Sequence, residues 1–172
     1  FTDLDSNCIL SLGVLRRAID NPPHPQPKGE KVAFFDFAAG SDENVFALRE
    51  GNKARIIDAW RDKDTVQAVR RFIRKARELG LSAHQCWGDG DGLGNAMIKQ
   101  FHDEHFCINS FRGGMDPSIV VNGEPKEYSN MISEVWILGC HKITKGLIDL
   151  GELDPITQRQ LTTRFIEWDS RG

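Results

Sequence analysis

Apolar residues recur in short runs that predict three consecutive strands early in the chain. Residues 32–37 form a continuous apolar run interrupted only by Asp36, which is typical of a strand buried on both faces. Two further strand candidates, 44–49 and 53–60, lie on either side of Glu-Gly-Asn at 50–52, a sequence that favours a tight hairpin turn. Strands joined by such short loops predict an antiparallel meander.

Helical spacing then alternates with strands. Asp64 stands where a helix N-cap is expected, and apolar residues repeat at helical intervals from there to Gly80. The remaining predicted elements are a strand at 81–87, a helix at 93–105, a strand at 106–111, a helix at 128–150 and a last helix that Asp154 and Pro155 open and that extends to 165. The polar stretch 112–124 is predicted to be a loop, with a small hairpin as the alternative for 120–124. This order predicts an α/β fold in which helices flank a mixed sheet, built from the antiparallel three-strand meander plus parallel strands.

The first thirty residues differ in character from the rest. Asp5 or Ser6 is the expected cap of a short helix that extends to Ala18, and the proline-rich stretch 21–27 that follows forces extended backbone. We therefore expect an N-terminal arm and semi-rigid linker at 1–30, joining the chain to another domain, and a globular domain at 31–172.

Composition limits the possible classes of function. With 172 residues, 40% of them hydrophobic, the chain is long enough for one domain with a core, and no run of eighteen apolar residues predicts a membrane span. The four cysteines show no paired spacing, which suits reduced thiols in a cytosolic protein. A formal charge of −3 argues against a module that grips nucleic acid by bulk positive charge, although bound cations would reverse the field locally.

Two aspartates stand out for their chemistry. Asp36 interrupts an apolar strand, and Asp89 lies where a strand leads into the glycine-rich turn 88–94. Taken singly, Asp36 is equally well explained as a buried aspartate satisfied by backbone N–H groups or an arginine, and Asp89 as an ordinary turn residue. As a pair on neighbouring strands the two carboxylates would repel each other, and a divalent cation resolves that repulsion. The pair therefore predicts a metal site.

Other templates fit the glycine-rich turn poorly. The dinucleotide fingerprint lacks its last glycine, and a Walker loop lacks its Gly-Lys-Ser/Thr. A calcium EF-hand starting at Asp89 requires a glutamate where Gln100 stands. A zinc site built from His102, His105 and Cys107 lacks a fourth ligand.

Three segments together resemble a known family. Residues 35–45 (FDFAAGSDENV) resemble the first-strand motif of the nuclease domains of viral terminase large subunits, in which a second aspartate follows a short glycine turn. Residues 89–94 (DGDGLG) are similar to that family's D-x-x-G-x-G, and 128–130 (YSN) to its Y-x-N helix start. The resemblance extends over about 31–172, and the order and spacing of the motifs make it fairly specific.

This resemblance implies a ribonuclease H-like fold and a metal-dependent endonuclease that cuts concatemeric viral double-stranded DNA during genome packaging. It makes Asp36 and Asp89 metal ligands and Asp42 an accessory ligand. Two Mg²⁺ or Mn²⁺ ions, roughly 3.5–4 Å apart, would activate a water and stabilise the leaving oxygen. Arg112 and Lys126 flank the expected site loop and are candidate DNA contacts.

One departure from the family pattern concerns the third carboxylate. The family has it near the C-terminus, and neither Glu167 nor Asp169 matches that position before the chain stops at Gly172. We therefore expect a domain cut short at its C-terminus, with the third acidic ligand beyond Gly172 and weak or no activity on its own.

The resemblance also implies a biological setting. The full-length protein would include an ATPase motor domain and work with a small terminase subunit and a portal ring, in the cytoplasm of a bacterial host, encoded by a phage or prophage. Two alternatives from other classes are a fragment of an actin-like or sugar-kinase-like ATPase, and a catalytically inactive ribonuclease H-like docking module.

Overall fold

The computed structural model describes residues 9–25, 29–40, 42–118, 120–121, 124–125 and 128–163. Its helices are α1 (Leu12–Asp20), α2 (Thr65–Glu78), α3 (Leu93–Asp103), α4 (Met131–Thr144) and α5 (Pro155–Thr162). Its strands are β1 (Lys31–Asp36), β2 (Asn44–Glu50), β3 (Lys53–Trp60), β4 (Cys86–Asp89), β5 (Asn109–Phe111), β6 (Val120–Val121) and β7 (Glu124–Pro125).

The predicted mixed sheet is present. Its strand order is β3-β2-β1-β4-β5, and β6 and β7 form a separate small hairpin. The first three strands are antiparallel neighbours, which confirms the meander, whereas β4 and β5 continue the sheet in parallel with β1. Parallel neighbours require crossover connections, and α2 and α3 supply them.

One face of the sheet is covered by α2 and α3 and contains the main core. Phe35 is fully buried at its centre, with its ring 4.7 Å from that of Phe72 and 5.6 Å from that of Phe101. Phe46, from the adjacent strand, adds an edge-to-face contact at 4.9 Å. These aromatic rings stabilise the middle of the sheet, from which β1 runs to the candidate site.

The prediction that β1 is buried on both faces is wrong. Its residues alternate, with Ala33 and Phe35 buried and Phe34 and Asp36 on the opposite, more exposed face. Phe34 is 37% exposed and contacts Phe111 edge to face at 5.9 Å. The Asp36 side chain therefore lies at the end of β1 on its exposed face, outside the core.

A second hydrophobic cluster joins α1, α4 and α5. Its buried members are Leu10, Leu15, Ala18, Cys140 and Ile143. Asp149, which follows α4, ties the cluster to the sheet, because its backbone pairs with β3 and its carboxylate accepts two hydrogen bonds from the Arg55 guanidinium, at 2.8 and 2.9 Å. The hydrogen bonds from Arg55 hold the pKa of the Asp149 carboxyl below its usual value.

Element boundaries differ from the predicted ones where local hydrogen bonds intervene. Residues 83–85 form a short 3₁₀ turn, so β4 begins only at Cys86. Helix α4 begins after Asn130, whose side chain accepts from the Ser133 N–H, and ends near Gly146, which has a positive φ. The cap of α1 is Ser11; the predicted caps at positions 5 and 6 lie outside the described residues.

The helix caps read from the sequence at Asp64 and Asp154 are confirmed, since each carboxylate accepts backbone N–H groups of the first turn. Among the described residues, no helix has the length and apolarity that a bilayer crossing requires.

The two faces of β1 give a stability prediction. Phe35→Ala should lower the free energy of unfolding by about 3–5 kcal/mol, because a fully buried ring leaves a cavity among its aromatic neighbours. Phe34→Ala, in the same strand on the exposed face, should lower it by no more than about 2 kcal/mol. Urea unfolding of both variants measures the difference, and equal losses would contradict this assignment of faces.

Candidate active site

Asp36 and Asp89 are the last residues of β1 and β4, which pair in parallel. The register places Phe35 opposite Gly88, so the next residue of each strand is one of the two aspartates. Neighbouring strands are about 4.8 Å apart, and side chains in matching positions of a parallel pair lie on the same face. The fold therefore brings the two predicted acids side by side at the carboxyl ends of two neighbouring interior strands.

The charge of Asp89 affects the ionisation of Asp36. The Asp36 side chain reaches solvent, yet the surrounding protein removes enough water from its carboxyl group to raise the pKa, and the nearby negative charge of Asp89 raises it further. A hydrogen bond from the Phe37 backbone N–H offsets part of this effect. Without a cation, ionisation of Asp36 is therefore less favourable in the folded protein than in a free aspartate.

An open cleft of about 400 Å³ adjoins Asp36. Its lining residues are Asp36, Phe37, Ala38, Ala39, Asp42, Glu43 and Leu93. The predicted accessory ligand Asp42 therefore shares a cleft with Asp36. Glu43 was missed by the sequence interpretation, although it directly follows Asp42, and its carboxylate makes a loose ion pair with Arg61 at 3.5 Å.

The glycine-rich turn after β4 is fixed by two carboxylate contacts. Asp89 Oδ1 accepts a hydrogen bond from the Asp91 N–H at 3.0 Å, and Asp91 Oδ2 accepts one from the Gly113 N–H at 2.9 Å. The turn that contains Asp89 is thereby tied to the loop that follows β5. Asp91 is a second residue that the sequence interpretation did not single out, although it lies within the same motif.

Two glycines allow α3 to begin directly against this turn. Gly92 has a φ of 54°, a conformation that L side chains rarely adopt, and it precedes the first residue of α3. Gly94 lies so close to the strand end that a Cβ atom there would overlap the backbone carbonyl oxygen of Asp89. The motif thus combines an awkward backbone angle with a close approach of helix to strand.

The two predicted DNA contacts stay predictions. Arg112 is exposed and directly follows Phe111, the residue of β5 that pairs with Asp89 of β4. Lys126 lies outside the described residues.

The acids at this site have the right chemistry for a hard divalent cation, but too few of the described ones are close together. Carboxylate oxygens are the ligands that Mg²⁺ and Mn²⁺ prefer, and the repulsion between Asp36 and Asp89 is the kind that such an ion relieves. Within the described residues, however, no group of three or more acidic, histidine or cysteine side chains is close enough together to hold a metal. The structure therefore shows two adjacent acids and a neighbouring acidic cleft rather than a complete ligand set.

The close approach at Gly94 gives a matched pair of substitutions. Gly94→Ala should lower the free energy of unfolding by about 1–3 kcal/mol, because the new methyl group meets rigid backbone. Gly139→Ala, in the interior of α4 with no atom within 4 Å of the added Cβ, should raise it by about 0.5–1 kcal/mol. Chemical denaturation tests both, and a stabilised Gly94→Ala would contradict the packing described.

The raised pKa of Asp36 predicts a pH-dependent stability difference. A carboxyl group whose pKa is higher in the folded state loses its favourable contribution as the pH rises through that pKa. In EDTA, Asp36→Asn should therefore melt at a higher temperature than the parent at neutral pH. This advantage should vanish as the pH falls below 3.8, the usual value for aspartate. Melting curves across this range test it, and a variant that melts below the parent at neutral pH would contradict it.

Comparison with known proteins adds structural relatives but no sequence relatives. No protein-family model and no curated protein matches the chain. The nuclease domain of the large terminase subunit gp2 of bacterial virus Sf6 has a similar structure, with a TM-score of 0.74 and 17% identity over 94% of this chain and 84% of that chain. The large terminase nuclease from thermophilic phage G20c with bound magnesium has a TM-score of 0.65 and 14% identity over 98% and 86%.

A mutant of the Sf6 domain, solved with manganese and β-thujaplicinol, matches with a TM-score of 0.70 and 17% identity over 94% of this chain and 84% of that chain. At such identities the likeness establishes the fold. The ribonuclease H-like mixed sheet expected from the sequence is thus confirmed, and the chain has the fold of the phage large terminase nuclease domains.

Proposed function

We propose that this chain is a nuclease domain of a terminase large subunit and that it hydrolyses phosphodiester bonds in double-stranded DNA. The observation that supports this most directly is the position of Asp36 and Asp89 at neighbouring ends of parallel strands, in the fold of solved terminase nucleases. Several of those nucleases were solved with divalent metals, among them manganese and magnesium.

Each acid has a distinct part in this proposal. Asp36 and Asp89 would hold two Mg²⁺ or Mn²⁺ ions between them, and Asp42, on the same cleft as Asp36, would act as an accessory ligand. When bound, such ions activate a water molecule and stabilise the leaving oxygen of the cleaved strand. Asp91, through its bond to Gly113, keeps the Asp89 turn in place.

Charge explains why DNA binding should depend on the cations. The cleft is lined by Asp36, Asp42 and Glu43, and a phosphate backbone is repelled by such a surface. Bound divalent ions would reverse the local field, and the exposed Arg112, one residue after the β5 partner of Asp89, would add a positive group for a phosphate. We therefore expect this chain to bind DNA at the cleft only when divalent ions are present.

The wider setting is part of the same proposal. We infer a protein with an arm and linker at 1–30 next to a motor domain and a nuclease domain at 31–172. It would cut concatemeric viral DNA in the cytoplasm of a bacterial host, with a small terminase subunit and a portal ring as partners.

A nicking assay with charge-matched variants tests the proposed function. In the full-length protein, Mn²⁺-dependent nicking of supercoiled plasmid should fall at least about 100-fold in Asp36→Asn and in Asp89→Asn, because loss of a metal ligand costs no less activity than loss of a residue that supports one. Asp103→Asn makes the same charge change at the far end of α3, a helix about 16 Å long that begins next to the Asp89 turn, and should nick like the parent. If all three variants nick like the parent, the assignment of the two acids is wrong.

A catalytically inactive docking module is the second candidate, and one observation favours it. Within the described residues, no three acids are close enough together to hold a metal as they stand, so metal affinity should be low. Calorimetric titration separates the two functions. Mn²⁺ binding at millimolar concentrations that Asp36→Asn abolishes supports the nuclease, whereas a parent chain that binds no Mn²⁺ or Mg²⁺ supports the docking module.

A further inference from the structure

Asn44 is a fully buried polar residue directly behind the candidate cleft. Its side-chain Oδ1 accepts a hydrogen bond from the Ala38 backbone N–H at 3.1 Å. Ala38 belongs to the cleft loop, by which we mean the described residues 37–40 and 42–43 between β1 and β2. We propose that Asn44 is a positioning residue that holds the cleft loop, and with it Asp42, on the cleft that Asp36 also lines. This inference rests on the proposed function.

Asn44 is itself held rigidly. It is the first residue of β2 and pairs with Trp60 of β3, so its backbone belongs to the sheet. A backbone N–H can only donate, so the bond to Ala38 fixes which end of the amide is the oxygen. The cleft loop is thus attached to the sheet by a side chain with one defined orientation.

A second contact restrains the same loop from the other side. The Gly40 N–H donates to the Asp62 carbonyl oxygen at 3.4 Å, and Gly40 has a φ of 81°. The contact at Ala38 lies closer to Asp36, and Ala38 and Ala39 both line the cleft. A shift at Ala38 would therefore change the position of Asp42 relative to Asp36.

One end of the Asn44 amide is buried without a partner among the described residues. Its Nδ2 group is buried and makes no hydrogen bond to any described residue. An unpaired buried donor destabilises the folded state, and an aliphatic side chain of similar size would not have this donor. The polar side chain gains one interaction in return, the bond to the cleft loop.

Two measurements on the whole chain test this inference. In Asn44→Leu, which keeps the volume but loses the acceptor, hydrogen exchange of the Ala38 amide should accelerate at least tenfold without metal. The dissociation constant for Mn²⁺ should rise about tenfold, as for other residues that support metal ligands. Asn44→Asp keeps an acceptor oxygen and should preserve the protection of the Ala38 amide.

Asn109→Leu is the matched control. Asn109 donates to the carbonyl oxygens of His84 and Cys86, at the other end of β4 from the acids. Its loss should lower the melting temperature but leave both the Ala38 amide and the Mn²⁺ affinity unchanged. Either variant can melt at a lower temperature, but only loss of a positioning residue should weaken Mn²⁺ binding.

Several outcomes would overturn the inference. A folded Asn44→Leu that binds Mn²⁺ like the parent would show that the contact does not matter for the site. If Asn44→Leu does not fold, a folded Asn44→Asp with an unprotected Ala38 amide would have the same force. A parent chain that binds no Mn²⁺ would refute the proposed function as well. If the parent binds Mn²⁺ and Asn44→Leu binds it equally well, only the inference about Asn44 fails.

Discussion

Parallel pairing of β1 with β4 sets two negative charges at neighbouring strand ends, and the arrangement of the site follows from this one contact. The strands themselves gain stability from the aromatic core around Phe35 on the covered face. Burial of the Asp36 carboxyl group and the nearby negative charge of Asp89 both raise the pKa of Asp36. The core thus stabilises a strand pair whose end is electrostatically unfavourable without a cation.

Loops on both sides of the acid pair are attached to rigid elements rather than left free. On the β1 side, the cleft loop is attached to Asn44 and to Asp62. On the β4 side, Asp91 ties the glycine-rich turn to Gly113. The loop after Gly113 is in turn held by the buried Glu134 of α4, whose carboxylate accepts hydrogen bonds from the N–H and hydroxyl groups of Ser118. Groups that must hold a fixed geometry relative to one another benefit from such support.

The second hydrophobic cluster supports the site from outside the main core. Helices α1, α4 and α5 pack together beside the sheet, and the bidentate pair between Arg55 and Asp149 connects them to the edge strand β3. Because α4 also donates backbone hydrogen bonds from Met131 and Ile132 to the loop after β5, this cluster supports the site from outside the main core. Its contribution to the chemistry is therefore indirect.

Local sequence alone determined the type and order of most elements and singled out Asp36 and Asp89 as candidates. Caps at Asp64 and Asp154 and the hairpin turn at 50–52 depend on neighbouring residues, so they can be read from short stretches. The glycine-rich turn marked Asp89 for the same reason. Only tertiary structure decided that Phe34 faces outward, that Glu43 joins the cleft, and that Asn44 reaches back to Ala38. Strand register and side-chain contacts across loops depend on residues distant in the chain, and the spacing of apolar residues does not specify them.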